Sequence, residues 1–204
     1  MRAGSEMPAL DEVLHYLTGI LHLVRQRPDG FRWLDLSWRG LARSFWAFAW
    51  SLPALAVIWA SWRLYFLGRM PEGTTAGAEF ILKLLLIDVV GWLLPLALLT
   101  VLARPLGYAQ HLVTMVIASN WIAVPFAYAT AIPFALALVV PAFSALSGLL
   151  LYVVFGASIV LQYRLLSMCL GKQALLAATL TALFVLPPLL VGQGLQVALG
   201  TLPS

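Results

Sequence analysis

The chain has 204 residues, of which 62% are apolar and only 10% charged, with a mean hydropathy of +0.95. A water-soluble domain needs about a quarter of its residues charged to cover its surface, so this composition excludes an ordinary soluble fold and makes lipid the solvent for most of the surface. The net charge of +4 comes from basic residues crowded towards the N-terminus, a distribution that suits orientation in a membrane and gives no reason to expect a nucleic-acid partner.

The chain opens with Glu6, Asp11 and Glu12 and has no apolar run before a small-residue cleavage site, so no cleavable signal peptide is expected and the first hydrophobic span should remain as an anchor. Leu10, Val13, Leu14, Leu17, Ile20, Leu21 and Val24 recur at helical spacing against a polar face of Asp11, Glu12, His15, Thr18, His22 and Arg25, which predicts an amphipathic helix. After the turn formers Pro28, Asp29 and Gly30 comes a basic and aromatic stretch containing Phe31, Arg32, Trp33, Trp38, Arg39, Arg43, Phe45 and Trp46. Such residues suit the headgroup layer. We read residues 1–43 as a cytoplasmic amphipathic and juxtamembrane segment, lying on the membrane surface or on the bundle, and residues 44–204 as the transmembrane helical domain.

About 20 apolar residues carry a helix across the hydrocarbon. Residues 44–62 form the first such run and end at Arg63; residues 80–103 form the second and end at Arg104-Pro105. No charged residue follows until Arg164, a stretch of roughly 88 Å if it were one helix, so it must fold back once. Pro125, Pro133 and Pro141 mark where the reversal can lie, which places spans near residues 108–130 and 141–163. The last span runs over residues 174–199, bent at Pro187-Pro188. The predicted fold is therefore all-α, a polytopic transmembrane bundle of five spans with an N-terminal amphipathic cytoplasmic helix.

Five spans put Arg2, Arg25, Arg27, Arg32, Arg39, Arg43, Arg104, Arg164 and Lys172 on one side, and Arg63, Arg69 and Lys83 on the other. That asymmetry predicts a cytoplasmic N-terminus and an external C-terminus, in a bacterial inner membrane.

Two polar residues inside the spans stand out. A carboxylate at a helix centre costs about 2.5–3.5 kcal/mol on insertion scales, so Asp88 is expected to pair with Arg63 or Lys83, although Lys83 also has Glu79 at i−4. Asn120 is expected to hydrogen-bond a neighbouring helix, with Tyr152 at a matching depth as its partner. Together Asp88, Arg63, Lys83, Asn120 and Tyr152 make up the candidate intramembrane polar site. Ser144, Gly148, Tyr152 and Gly156 recur every four residues, as do Ala174, Ala178 and Ala182; such ridges let helix backbones approach closely, within a bundle or between copies.

His15 and His22 are about 10 Å apart along a helix, too far to share one metal without other ligands. Cys169 is the lone cysteine, which excludes a CxxC motif and an intramolecular disulfide. No HExxH, GxSxG or P-loop string occurs. No catalytic, cofactor-binding or metal-binding residue is assigned, and no enzyme is expected.

One local pattern runs from Tyr108 to His111, through Ala118-Ser119-Asn120-Trp121-Ile122-Ala123-Val124-Pro125 and Ile132-Pro133, to Tyr152-Val153-Val154-Phe155-Gly156 and Gly171-Lys172-Gln173-Ala174. With the long N-terminal segment, five spans and short C-terminal tail, it resembles the Yip1-domain membrane proteins over roughly residues 46–199. Asn120, Trp121 and the three residues after them separate Ser119 from Pro125, a looser Ser/Thr-to-Pro step than that family shows. The resemblance implies a bundle that interacts with other membrane proteins or shapes bilayers, as eukaryotic relatives do in vesicle traffic, and it transfers no catalytic residue.

The leading expectation is thus a non-enzymatic interaction or membrane-organising role, with the lipid bilayer, other membrane proteins or a second copy as partners. The alternative is a small transporter or channel using Asp88 with Arg63 or Lys83. The charge asymmetry is directly testable: alkaline phosphatase fused after Leu199 should be active, and a fluorescent protein that matures only in the cytoplasm should be dark at the same position. The reverse pair of results would overturn the orientation.

Overall fold

The computed structural model describes residues 6–202, so Arg2, which enters the charge count, lies outside the described residues. Seven α-helices follow one another: α1 (Leu10–Val24), α2 (Trp38–Ser44), α3 (Trp46–Leu67), α4 (Ala78–Leu102), α5 (Leu112–Val139), α6 (Ser144–Cys169) and α7 (Ala174–Ala198). No strand occurs among the described residues. Five stretches are long and apolar enough to cross a membrane, the first being α2 run on into α3 and the others being carried by α4, α5, α6 and α7.

The first span begins earlier than its charge-free run because Ser37 caps α2, its hydroxyl accepting from Gly40 N at 3.1 Å, and the helix then carries Arg39 and Arg43. The third span runs on through Pro125 and Pro133 to Val139, so neither proline reverses the chain. In hydrocarbon, breaking a helix exposes several amides and carbonyls at once, whereas a proline within it removes a single bond. The reversal falls at the 3-10 turn Pro141–Phe143. With 28 residues, α5 is about 42 Å long, longer than the ~30 Å hydrocarbon slab, so it tilts or projects beyond it.

Around the bundle, α3 packs on α5, α5 on α6, α6 on α7, and α7 on α4, while α3 and α4 touch only lightly despite their short connection. Two apolar clusters result. One joins α1 to α5 and α6, burying Val13, Tyr16, Ile20 and Leu23 with Met115, Trp121 and Leu165; the other, at the α3–α4 connection, buries Phe66, Phe80, Leu84 and Ile87.

The α1 helix therefore lies on the bundle, and its apolar stripe divides. Val13, Ile20 and Val24 are buried, together with Tyr16 and Leu23 from outside the expected stripe, whereas Leu10, Leu14 and Leu21 are exposed. The Tyr16 ring sits 4.7 Å from the Trp121 ring. Glu12 receives Arg43 at 2.6 Å on both carboxylate oxygens and the Tyr16 hydroxyl at 2.5 Å. Gly30 of the following turn meets α1 so closely that a Cβ there would lie 2.6 Å from the Gly19 carbonyl oxygen. At the end of α1, Gln26 adopts φ 62°, a left-handed conformation that costs a side-chain-bearing residue about 1–2 kcal/mol, and its amide reaches α6 to donate to the Arg164 carbonyl at 2.7 Å.

Burial alone would raise the Glu12 pKa, but the bonds from Tyr16 and Arg43 outweigh it and hold the carboxyl below its ordinary 4.5. Burial first, and then the bond to Glu12, pushes Tyr16 from 10 up to about 12. A lowered carboxyl stabilises the docked helix fully above pH 4.5 and loses that contribution as pH falls through the lowered value. A raised phenol stabilises it fully below pH 10 and loses that contribution as pH rises towards about 12. Hydrogen-exchange protection factors of α1 amides in nanodiscs should thus fall at the acid limit. Glu12→Gln should lower protection at neutral pH and flatten the acid limb. An unchanged acid limb in that variant would show that Glu12 does not hold the helix.

Candidate functional site

Within hydrocarbon, a polar side chain has to find its partner inside the protein. Several hydroxyls do so locally: Ser51, Thr100, Ser158 and Thr181 each donate to the carbonyl four residues earlier, at 2.7–2.9 Å. Two places among the remaining polar groups of the bundle interior hold Asn120 and Asp88.

The first is a cavity of about 220 Å³ walled by α4, α5, α6 and α7, with Ser119, Asn120, Ser158 and Gln162 among its lining. Asn120 is fully buried. Its Nδ2 donates to Ser44 Oγ at 2.9 Å, and the Ser44 hydroxyl in turn donates to the Leu41 carbonyl at 2.7 Å. Because the serine hydrogen is used on Leu41, the serine oxygen can only accept from Asn120, which fixes the amide with its oxygen turned away. That oxygen, Oδ1, is buried and has no hydrogen-bond partner. Gln162 donates from Nε2 to Ser119 Oγ at 3.2 Å, which leaves the Ser119 hydroxyl hydrogen available as a donor.

The expected pairing of Asn120 with Tyr152 is not formed. Tyr152 is 79% exposed on the outward face of α6, and Ser44, at the junction of α2 and α3, takes its place. Sequence reasoning missed Ser44 because nothing local marks it as buried; only the packing of α2 against α5 brings it there.

The second place is Asp88, about 15 Å along α4 from Ala78. It accepts a hydrogen bond from Trp59 Nε1 of α3 at 2.6 Å. Neither expected cation is its partner. Lys83 pairs with Glu79 at 2.7 Å, one helical turn away, and Arg63 donates from Nε to the Ala76 carbonyl in the α3–α4 connection. Both cations extend towards the membrane face where the connection lies, and the indole, an amphipathic donor, serves the deeper carboxylate instead.

The five residues of the expected polar site thus separate into an Asp88–Trp59 pair, two cations engaged elsewhere, a buried Asn120 and an outward Tyr152. His15 lies against Trp33 with ring centroids 4.5 Å apart, His22 donates to Asp29 at 3.0 Å, and His111 meets Gln110 at 3.2 Å. Among the described residues no three His, Cys, Asp or Glu side chains converge as a metal site. No family model, curated protein or solved structure matches this chain.

If the indole is the partner of Asp88, Asp88→Asn should keep or raise thermal stability in detergent, since it retains an acceptor and removes a charge from hydrocarbon. Trp59→Phe should destabilise the wild type by about 1–3 kcal/mol and the Asp88→Asn background by less. Non-additivity of Asp88→Asn with Arg63→Gln or Lys83→Gln, and additivity with Trp59→Phe, would restore the ion link.

Proposed function

We propose that this is a non-enzymatic component of a bacterial inner membrane, with its N-terminus cytoplasmic and its C-terminus external. It acts by lateral association with membrane proteins, including a second copy of itself, in the manner that the Yip1-domain resemblance implies. One observation carries this reading: the first half of α6 is left open. Leu149, Tyr152 and Val153 are exposed, and a Cβ added to Gly148 or Gly156 would meet nothing within 4 Å. Lipid chains are as apolar as leucine, so helix association in a membrane draws on close backbone approach at small residues. The ridge of Ser144, Gly148 and Gly156 offers that approach on the outside of the bundle, where its own helices leave it unused. The transport alternative draws less support, because Asp88, Arg63 and Lys83 each have a different partner.

In a Cys169→Ser background, Leu149→Cys or Val153→Cys should give cross-linked species when membranes are treated with a short bismaleimide. Adding Gly148→Leu or Gly156→Leu should abolish them. Absence of any cross-linked species at both positions, in membranes where the protein is folded, would reject association through α6.

A further inference from the structure

α3 and α4 touch only lightly, and a groove of about 370 Å³ opens where they and the end of α5 meet. Its apolar walls are Ala56, Trp59, Ala60 and Leu64 of α3, Ile81 of α4 and Leu138 of α5, and one charged side chain, Arg63, stands among them. We infer that this groove holds one anionic phospholipid, whose phosphodiester binds the Arg63 guanidinium while an acyl chain runs along α3 past Ala60 to Ala56.

The charge in the groove is not answered within the protein. Arg63 spends its Nε hydrogen on the Ala76 carbonyl, which leaves both Nη groups for another acceptor. Among the described residues no carboxylate forms an ion pair with it: Glu79 is held by Lys83, Asp88 accepts from Trp59, and Glu72 is exposed in the connection. A guanidinium fork matches the two free oxygens of a phosphodiester. The lining also sets the class of lipid. It contains no carboxylate, so the ammonium of a zwitterionic head finds no partner there, whereas a head bearing only hydroxyls leaves the lipid's negative charge to Arg63. From Arg63 to Ala56 the groove runs about 10 Å along α3, away from the connection, the direction an acyl chain takes from its head group. Ala56 and Ala60 are small and exposed, so a chain can lie against the helix backbone. Trp59 lines the same groove while its indole donates to Asp88, and a chain seated over it keeps water from that bond.

The test uses the full chain in phosphatidylcholine nanodiscs carrying a trace of one of two probes, phosphatidylglycerol or phosphatidylcholine with the same diazirine-bearing chain. Phosphatidylglycerol should label residues 56–60 and Leu138 about fivefold more than phosphatidylcholine, as the attraction of one arginine for a net negative charge predicts. Arg63→Gln, which keeps a donor for the Ala76 carbonyl, should remove that preference. Ala60→Phe fills the groove from an exposed position and leaves Arg63 in place, so it should remove labelling at Ala56 and Leu138 by both probes. Arg69→Gln is the control: this arginine of the same connection stacks over the Tyr65 ring at 3.7 Å and does not line the groove, so the preference should persist. Equal labelling of the wild type by the two probes, or a preference that survives Arg63→Gln, would overturn the site. So would a preference that falls as far in Arg69→Gln as in Arg63→Gln, which would mean diffuse attraction to that face rather than a bound lipid. If Arg63→Gln does not fold, Ala60→Phe decides alone, and unchanged labelling at Ala56 in that variant rejects the groove.

Discussion

Hydrocarbon offers no hydrogen bonds, and the arrangement of this protein follows from that single lack. Every polar atom carried into the spans must be met by another atom of the same chain. Serine and threonine hydroxyls fold back on their own helices. The carboxylate of Asp88 takes an indole from α3, and the amide of Asn120 takes the hydroxyl of Ser44. Prolines stay within helices because an intact helix with one bond missing leaves fewer groups unmet than a broken one. The rule is not met everywhere: Asn120 Oδ1, Trp50 Nε1 and Ser147 Oγ are buried without a hydrogen-bond partner among the described residues.

The same requirement separates what can be read from the sequence from what cannot. The spans are legible because hydrophobic length is a local property, and the ends of α4 and α7 fall within a few residues of where Arg104 and Lys172 place them. The reversal between α5 and α6 is less legible: three prolines mark it equally, and only the capacity of a long helix to absorb two of them decides the matter. Pairings between helices are the least legible. Depth along a span is readable only where the span's ends are, and the direction a side chain faces around the helix is not, because five helices of near-uniform hydrophobicity carry little amphipathic signal to supply it. Asn120 lies about 28 Å before the end of α5 and Tyr152 about 12 Å into α6, so once the third span runs on to Val139 they differ in depth, and Gln162 stands at the level of Ser119 instead. Lys83 could be assigned correctly to Glu79 because that contact lies within one helix turn. The stripe of α1 fails in an instructive way: seven apolar positions form a band wider than one contact surface, so one flank meets the bundle and the other remains open.

Packing is uneven from end to end. Near α1, residues 115–122 of α5 are buried on every side, and α6 is enclosed from Leu165 to Leu170. Beyond Val124, α5 is buried only at Ala131 and Pro133, and the first half of α6 presents most of its circumference outward. A bundle tightly packed in one half and loosely packed in the other combines a rigid anchor with a surface that neighbours can engage. Under the proposed function, structural glue and association fall to different turns of the same helix, and substitutions in the two halves should have separable effects.

The left-handed turn at Gln26 has a consequence for how the molecule is assembled. Its amide holds a carbonyl 138 positions further along the chain, and Tyr16 rests on a tryptophan of α5. The helix made first thus depends on partners made late, when most of the spans are already in the membrane. In the interval α1 has no core to lie against, and the leucines that face outward in the finished protein, Leu10, Leu14 and Leu21, give it a surface with which to wait on the bilayer. A segment that looks like a fixed part of the fold is, in the order of biosynthesis, its closing clasp.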